Sequence, residues 1–343
     1  MSTTDAQPAA GGGHSDFAAV RAAGADRFGD LLEPYRRELR VHCYRVLGSY
    51  EQAEDLVQET YLRAWRSRDT FQGRSTLRAW LYKIATNACL ETLRRNPRPA
   101  VPQSEVDGRL PPASALPWVQ PFPDVLLDLP VPSEEEPDAL VLARETIALA
   151  YLIAIQLLPP QQRAVLVLRD VLRFTAKETA ELLGVTVAAA NSALQRSRAT
   201  LGTYQRSLDV DEPRSTAPRT RDERELLDTY MRAHEQGDPG AIVAVLRADA
   251  RLSISPAGLC WDGREQITPS FLEGMGALGS WRCLPTRANS QPAVGNYLRA
   301  WGENQYRAFT VVVLGIQDGE LTEMATFARP ELFAAFGLPA TLP

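Results

Sequence analysis

Residues 175–200 read TAKETAELLGVTVAAANSALQRSRAT, and this stretch decides the fold of the region around it. Thr175 precedes Glu178 by three residues, which is the spacing of a helix capping box. Gly184 then separates a first helical segment from a second one, which begins after Thr186, another residue suited to capping a helix. Two short helices joined by a glycine-containing turn form a helix-turn-helix, and this is the fold that the stretch predicts.

The second helix of the pair has a polar outer face. The apolar residues predicted to be buried are Ala180, Leu183, Val187, Ala190, Leu194 and Leu201. The residues left exposed are Asn191, Ser192, Gln195, Arg196 and Arg198. Side chains of these types hydrogen-bond base edges and phosphates in the major groove of DNA, so the pattern favours DNA binding. An ordinary helical hairpin with a polar surface is the alternative.

Upstream, the segment 53–65 contains DLVQETYLRAW, starting at Asp55, and predicts an amphipathic helix. Its apolar residues recur at helical spacing and predict packing into a bundle. Its outer face is acidic and consists of Glu54, Asp55, Gln58 and Glu59. Charge on one face of a helix is ordinarily a solvated surface, and a partner-binding face is the other interpretation.

The segment 71–95 follows, with a polar loop after Phe71 and then a helix from Leu77 to Arg95. Lys83, Asn87, Arg94 and Arg95 are predicted to face solvent, with Trp80 and Tyr82 nearby. Basic groups interleaved with aromatic rings suit single-stranded or melted nucleic acid, because bases stack on the rings while cations neutralise phosphates. Core aromatics beside solvated arginines are the alternative.

Composition excludes several protein classes. The 343 residues are 45% hydrophobic and 23% charged, which excludes a wholly disordered or fibrous chain. No apolar run approaches the ~20 residues of a membrane span, and the first residues lack a signal-peptide pattern. The four cysteines and three histidines show no metal-ligand or disulfide spacing. We therefore expect a cytoplasmic protein without a metal ion, a cofactor or a membrane partner.

Charge is distributed unevenly along the chain. The formal net charge is −5, but residues 61–98 carry +7 and residues 144–206 carry +4. Between them, residues 99–143 carry −7, and eleven prolines fall within residues 97–137. Two basic blocks separated by an acidic, proline-rich spacer suit a protein that meets nucleic acid at two places. Leu116, Trp118 and Phe122 give the spacer apolar anchors.

Beyond the polar segment Asp209–Thr220, the pattern changes to two helices followed by strands. The predicted strands are 250–255, 282–288, 298–300, 306–314 and 321–327. This order predicts an α+β domain.

Three blocks of the sequence resemble, in their order, regions two and four of the extracytoplasmic-function (ECF) group of sigma-70-type transcription initiation factors. The blocks are DLVQETYLRAWR, FQGRSTLRAWLYKIATNACLETLRR and LPPQQRAVLVLRDVLRFTAKETAELLGVTVAAANSALQRSRATL. LPWVQPFPD, with the added C-terminal domain, resembles the subset that carries a SnoaL-like, nuclear-transport-factor-2-like extension. The resemblance implies a multidomain chain, with two all-α sigma domains, a helical bundle and a helix-turn-helix, followed by a cone-shaped α+β SnoaL-like domain.

The expected domains follow from these blocks. They are a mobile tail (1–25), sigma region 2 (26–96), a proline-rich acidic linker (97–143), sigma region 4 (144–206), a tether (207–221) and the SnoaL-like domain (222–343). The acidic linker is expected either to thread along the basic RNA path of the polymerase or to serve as a solvated tether.

The resemblance also implies residue roles. Asp55, Gln58 and Glu59 match the surface that docks on the clamp helices of the RNA polymerase largest subunit. Phe71, Ile84 and Asn87 match the pocket for a flipped base of the −10 element, and Lys83, Arg94 and Arg95 match groups near the melting backbone. Asn191, Ser192, Gln195 and Arg196 match the face that reads the −35 element, with Arg198 on a phosphate.

The expected partners are core RNA polymerase and promoter DNA, together with an intramolecular contact of the C-terminal domain with the sigma domains and a small apolar ligand. Two alternatives stay open at this point. One is a dimeric helix-turn-helix regulator with a ligand-binding domain, and the other is a bifunctional enzyme. The C-terminal acid–base candidates are Asp249, Asp262, Glu273, Glu303, Glu323 and His234. None lies in a specific motif, His234 is expected at the surface, and no catalytic residue is predicted.

Overall fold

The structure, a computed structural model, describes residues 19–21, 24–73, 75–99, 101, 109–127, 147–204 and 221–343. Most of the predicted tail, the acidic residues 128–146 and the tether segment Asp209–Thr220 lie outside the described residues. None of the helices in the described ranges is both long and apolar enough to cross a membrane. Within the same ranges, no three or more His, Cys, Asp and Glu side chains are grouped to hold a metal ion.

The chain divides into two compact units. The first consists of Met1–Pro99 with Leu158–Ala199, and the second of Ala100–Leu157 with Thr200–Pro343. These units group residues by packing, and the domain boundaries inferred from the sequence stay predictions.

Eleven α-helices have both ends within the described ranges. In chain order they are α1 (Ala25–Leu32), α2 (Arg36–Leu47), α3 (Tyr50–Ser67), α4 (Leu77–Arg95), α5 (Leu149–Gln156), α6 (Pro160–Leu166), α7 (Ala176–Leu183), α8 (Val187–Gly202), α9 (Arg221–Gln236), α10 (Pro239–Ala244) and α11 (Arg264–Ala277).

In the first unit, α2, α3 and α4 pack against one another as a bundle. Local sequence sets where these helices begin. The Ser49 hydroxyl accepts a hydrogen bond from the Gln52 amide at 3.3 Å, and the Thr76 hydroxyl accepts one from the Ala79 amide at 3.2 Å. Such caps satisfy amides that have no partner in the first helical turn. Predicted core residues such as Val57 and Leu81 are fully buried.

The helix-turn-helix is confirmed. Thr175 and Glu178 form the capping box, with the Thr175 amide donating to Glu178 at 2.7 Å, and Gly184 adopts the left-handed conformation that ends α7. Three burial predictions were wrong, and one of them is Leu201, which is only half-buried near the C-terminal end of α8. Val187 is 43% exposed because it is the first residue of α8 and precedes the packed face. Leu183 is only half-buried, since α7 turns its neighbour Leu182 inward instead.

The second unit contains the expected α+β domain. Its strands are β1 (Leu246–Ser255), β2 (Leu259–Asp262), β3 (Gly279–Ala288), β4 (Gln291–Ala300), β5 (Tyr306–Gln317), β6 (Glu320–Phe327) and β7 (Thr341–Leu342). They form one sheet in the order β2-β1-β6-β5-β4-β3, with β7 paired to β5. Only the β1–β6 pairing is parallel among these strands.

One face of this sheet packs on the helices. The core joins α9, α10 and α11 to the strands through residues such as Tyr230, Ile267 and Val312. The other face of β1 meets the proline-rich linker, whose turn Ala113–Ala115 lies against it. Leu116 and Phe122 of the linker are fully buried. The predicted apolar anchors therefore fix the described part of the linker to the α+β domain, so this part is not a solvated tether.

Candidate polymerase and promoter interfaces

The acidic face of α3 is accessible in part. Asp55 and Gln58 are exposed, whereas Glu59 is half-buried. Glu59 pairs with Arg63, with Arg63 Nε 2.7 Å from Glu59 Oε1, and Arg63 also reaches Glu91 on α4. The hydrogen bond that Arg63 donates to Glu59 is the main cause that raises the pKa of Arg63. A docking partner therefore meets Asp55 and Gln58 as free polar groups and Glu59 as part of an ion pair.

Leu62 is a residue that sequence reasoning missed on this face. It follows Glu59 by three residues, Gln58 by four and Asp55 by seven, so it lies on the same side of α3. Its side chain is 51% exposed. An exposed apolar residue among polar ones is the usual arrangement of a protein–protein interface with an apolar centre and a polar rim. Its position four residues after Gln58 could have revealed it.

The predicted −10 residues lie together on α4 and the loop before it. Lys83, Ile84 and Asn87 share one face of α4 with Trp80, at helical spacings of three, four and seven residues. Lys83 and Asn87 are exposed and Ile84 is half-buried. Phe71 is only 2% exposed, and its ring packs on Trp80 with centroids 5.1 Å apart. Trp80 thus links Phe71 to this face.

The basic end of α4 contains Arg94 and Arg95, and both are exposed. Arg94 Nε donates to the Leu90 carbonyl at 3.4 Å, which leaves its terminal nitrogens directed elsewhere. Arg95 pairs with Glu91, whose pKa is lowered mainly by its hydrogen bond with Arg63. A phosphate that binds Arg95 must therefore compete with Glu91.

The predicted −35 face on α8 is exposed at all five positions, Asn191, Ser192, Gln195, Arg196 and Arg198. The Ser197 hydroxyl fixes the opposite side of the helix by donating to the carbonyls of Ala193 and Gln162. Arg196 has no hydrogen bond or ion pair among the described residues, whereas Arg198 makes a bidentate pair with Asp170 at 2.7 and 2.9 Å. The hydrogen bond to Asp170 raises the pKa of Arg198.

The helix-turn-helix packs on the bundle within the first unit. Phe174 contacts Tyr82 edge to face, with ring centroids 5.6 Å apart. Arg163 is buried and donates to the Val46 carbonyl at 2.5 Å and to the Leu158 carbonyl at 3.0 Å. Burial lowers the pKa of Arg163 to about 9. Sequence reasoning missed these contacts because an arginine in a polar sequence context predicts exposure.

The C-terminal acid–base candidates do not converge. Asp262 pairs with Arg251 and Arg109, at 2.7 and 3.0 Å, and Asp249 pairs with Arg247. The expectation that His234 lies at the surface was wrong, because α9 turns it inward. Its Nδ1 donates to the Tyr230 carbonyl at 3.3 Å, and burial lowers its pKa to about 4. No carboxylate of the described residues is hydrogen-bonded to His234.

Comparison with known proteins agrees with the order of these groups. Residues 31–98 match the family Sigma-70 region 2, and residues 149–201 match Sigma-70, region 4. The ECF RNA polymerase sigma factor SigG of Mycobacterium tuberculosis is 38% identical over 328 residues, covering 92% of this chain and 86% of SigG. This chain belongs to the ECF RNA polymerase sigma factor family.

A second relative also matches over most of the chain. ECF sigma factor SigJ of M. tuberculosis is 26% identical over 88% of this chain and 92% of its own length. The crystal structure of SigJ has a TM-score of 0.55 at 21% identity, covering 90% of this chain and 99% of SigJ, and shows a shared fold.

Membership in this family settles the function class. The chain is a promoter-recognition subunit that binds core RNA polymerase and promoter DNA. Sigma factors of this family are not enzymes. The alternative of a dimeric helix-turn-helix regulator is thereby excluded.

Proposed function

We propose that this sigma factor uses three separate surfaces of its first unit. The acidic face of α3 docks on core polymerase, and it consists of Asp55, Gln58 and Glu59. The α4 face captures the −10 element as melted strand, and it consists of Phe71, Lys83, Ile84, Asn87, Arg94 and Arg95. The α8 face reads the −35 element as duplex, and it consists of Asn191, Ser192, Gln195, Arg196 and Arg198. The observation that carries this proposal is that the three surfaces lie on three different helices and are exposed, apart from Phe71, Ile84 and Glu59.

Electrostatics support this division. Residues 61–98, which include the α4 face, carry a net charge of +7, and phosphate neutralisation supplies most of the non-specific affinity for DNA. The α3 face is acidic and would repel a phosphate backbone. The same helix bundle thus offers surfaces of opposite sign to DNA and to the polymerase. Binding to promoter DNA and core polymerase would also require the protein to be in the cytoplasm.

We further propose that the SnoaL-like domain regulates the sigma domains in cis. The linker between regions 2 and 4 supports this proposal, because its described part belongs to the same compact unit as that domain. Arg251 Nη1 donates to the Leu110 carbonyl at 2.6 Å, and Arg329 donates to the Pro117 carbonyl at 3.2 Å. A domain that holds the connection between two promoter-reading domains can control their separation.

A regulatory role, and not catalysis, suits the interior of this domain. Large aromatic residues of this domain such as Tyr297 and Phe327 are fully buried in its packed interior. A groove of about 640 Å³ is instead lined mainly by polar side chains of α9, including Asp228 and Glu235. The small apolar ligand stays a prediction, and the acid–base candidates are assigned no catalytic role.

Truncation after Thr220 tests regulation in cis. In transcription reactions with core polymerase, a truncated protein that is more active than the full chain indicates autoinhibition. A truncated protein that is less active indicates support of the sigma domains. Equal activity over a range of protein and polymerase concentrations would contradict both forms of the proposal.

A further inference from the structure

The turn between β3 and β4 has an unusual conformation. Asn289 and Ser290 both lie in the left-handed region, with φ of 55° and 62°. Two consecutive left-handed residues form the type I′ turn that suits a two-residue hairpin, and asparagine tolerates this region better than most residues. Asn289 is nevertheless fully buried. A buried polar side chain at a hairpin tip calls for partners, and these come from the linker.

Asn289 holds two linker segments at once. Its amide donates to the Phe122 carbonyl at 2.9 Å, and its Oδ1 accepts from the Phe122 amide at 2.9 Å. Its Nδ2 donates to the Ile147 carbonyl at 2.8 Å. Phe122 and Ile147 are 25 positions apart in the sequence. One side chain therefore brings together the two ends of the segment 123–146.

Neighbouring residues of the turn strengthen both attachments. On one side, Asp124 Oδ1 accepts from the Ser290 amide at 2.8 Å, and Asp124 Oδ2 lies 3.2 Å from Arg287 Nε. On the other side, Gln291 Oε1 accepts from the Leu149 amide at 3.1 Å. Four hydrogen-bonding residues within positions 287–291, at or beside one turn, thus fix both ends of the same segment.

We propose that the β3–β4 turn is a latch that withholds residues 123–146 from the connection between sigma regions 2 and 4. This proposal rests on the proposed cis regulation and names its device. The 24 withheld residues, fully extended, span about 80 Å. The −35 and −10 elements lie about 25 base pairs apart, or about 85 Å along the duplex. A closed latch therefore removes a length of chain comparable to the distance that the two domains must cover.

The contact of the linker with β1 includes buried hydroxyls that have no partner among the described residues. The Ser253 and Ser255 side chains lie on the same face of β1 as Arg251, which binds the linker at Leu110. The hydroxyls of Ser114, Ser253 and Ser255 are buried and have no hydrogen-bond partner among the described residues. A buried hydroxyl without a partner opposes the packing that buries it. The polar contacts that hold both ends of the segment 123–146 are those at the turn of Asn289.

Two substitutions at Asn289 distinguish its side-chain contact with Phe122 from its contact with Ile147. Asn289→Gly keeps the left-handed backbone but removes both side-chain contacts. Asn289→Asp keeps the acceptor for the Phe122 amide and removes the donor to the Ile147 carbonyl. Asn304→Gly, in the exposed turn between β4 and β5, is the matched control.

Hydrogen exchange of the full chain, alone and in the polymerase–promoter complex, tests the latch. The Phe122 and Leu149 amides should exchange at least tenfold faster in the complex than in the free protein. In the free protein, Asn289→Gly should accelerate both amides tenfold, Asn289→Asp should accelerate Leu149 alone, and Asn304→Gly should change neither. The amides of β5 report whether a variant keeps its fold. If they lose protection in Asn289→Gly, the exchange rates of Asn289→Asp test the latch instead.

Unchanged protection of both amides in an active complex would overturn the latch, as would unchanged exchange in the Asn289 variants. Promoters with lengthened spacers give a second measurement. Asn289→Gly should raise transcription from long-spacer promoters at least threefold relative to the wild type, and an unchanged spacer profile would contradict the proposal. Equal activity of the wild type and the protein truncated after Thr220 would instead refute cis regulation, and the exchange results would still report on the latch.

Discussion

At the scale of single residues, the packing of the chain determines which partners several charged and polar side chains have. Arg163 donates to the Val46 carbonyl at the end of α2, where a cation also interacts favourably with the helix dipole. His234 is held in its neutral form inside the second unit by burial. Arg196 and Arg198 lie two positions apart on α8, yet only Arg198 has an ion-pair partner among the described residues.

His234 should make stability depend on pH. Its pKa is about 4 in the folded chain and about 6.5 when exposed, so the unfolded chain binds the proton more tightly. Stability should therefore fall as the pH drops from about 6.5 to 4, by up to about 1.4 kcal/mol per pH unit from this group. Urea unfolding at several pH values should show a shallower dependence for His234→Gln. Identical slopes for variant and wild type would refute the assignment.

Arg196 and Arg198 should differ in what they contribute to DNA binding. Arg196 is free to reach a base edge, so Arg196→Ala should cost about 1–3 kcal/mol of discrimination between promoter and random DNA. Arg198 is paired with Asp170, so Arg198→Ala should weaken both complexes by a similar factor. Binding titrations on promoter and scrambled duplexes measure both effects. An equal loss on both duplexes for Arg196→Ala would show a phosphate contact.

At the scale of elements, local sequence signals were enough to predict several of the helices. The capping box and Gly184 were sufficient for the helix-turn-helix. Helix α11 was not predicted, since Pro269, Gly274 and Gly276 interrupt its helical pattern. The packing of Phe71 on Trp80 was also not predicted, because it depends on how the loop before α4 folds back. Strands β2 and β7 are too short for periodicity to reveal.

The α3 face should depend on its apolar centre. Leu62→Ser should weaken binding to core polymerase by about 1–2 kcal/mol, because truncating a central apolar interface residue commonly costs this much. Leu272→Ser, at another exposed apolar residue on α11 and outside every proposed interface, is the matched control and should bind normally. Charge reversal at Asp55 and Glu59 together should abolish association. Measurements of the affinity of these variants for core polymerase test this prediction. Wild-type affinity of the Leu62→Ser variant would show that Leu62 is not part of the interface.

The α4 face should act after promoter binding. Extruding a base costs a few kcal/mol that the pocket must offset, and in the proposed function the Asn87 amide hydrogen-bonds the edge of that base. Asn87→Ala should therefore leave closed complexes intact and reduce permanganate-reactive thymines at the −10 element. Normal opening by the variant would make Asn87 an ordinary surface residue.

At the scale of the whole molecule, the family and the order of its domains could be predicted from three sequence blocks. The attachment of the linker to the SnoaL-like domain could not, because it depends on residues such as Phe122, Asn289 and Ile147 that are far apart in sequence. The site residues could be assigned to faces of helices, but their ion pairs, such as Arg198 with Asp170, required the folded chain.

Transcription by core RNA polymerase tests the central claim most directly. On a promoter with −35 and −10 elements, core polymerase should initiate specifically only when this protein is added, with thymines of the −10 element becoming reactive to permanganate. The double charge reversal at Asp55 and Glu59 should lose this activity while the protein keeps its weak affinity for DNA. Specific initiation without the protein, or wild-type initiation by the charge-reversed variant, would contradict the account.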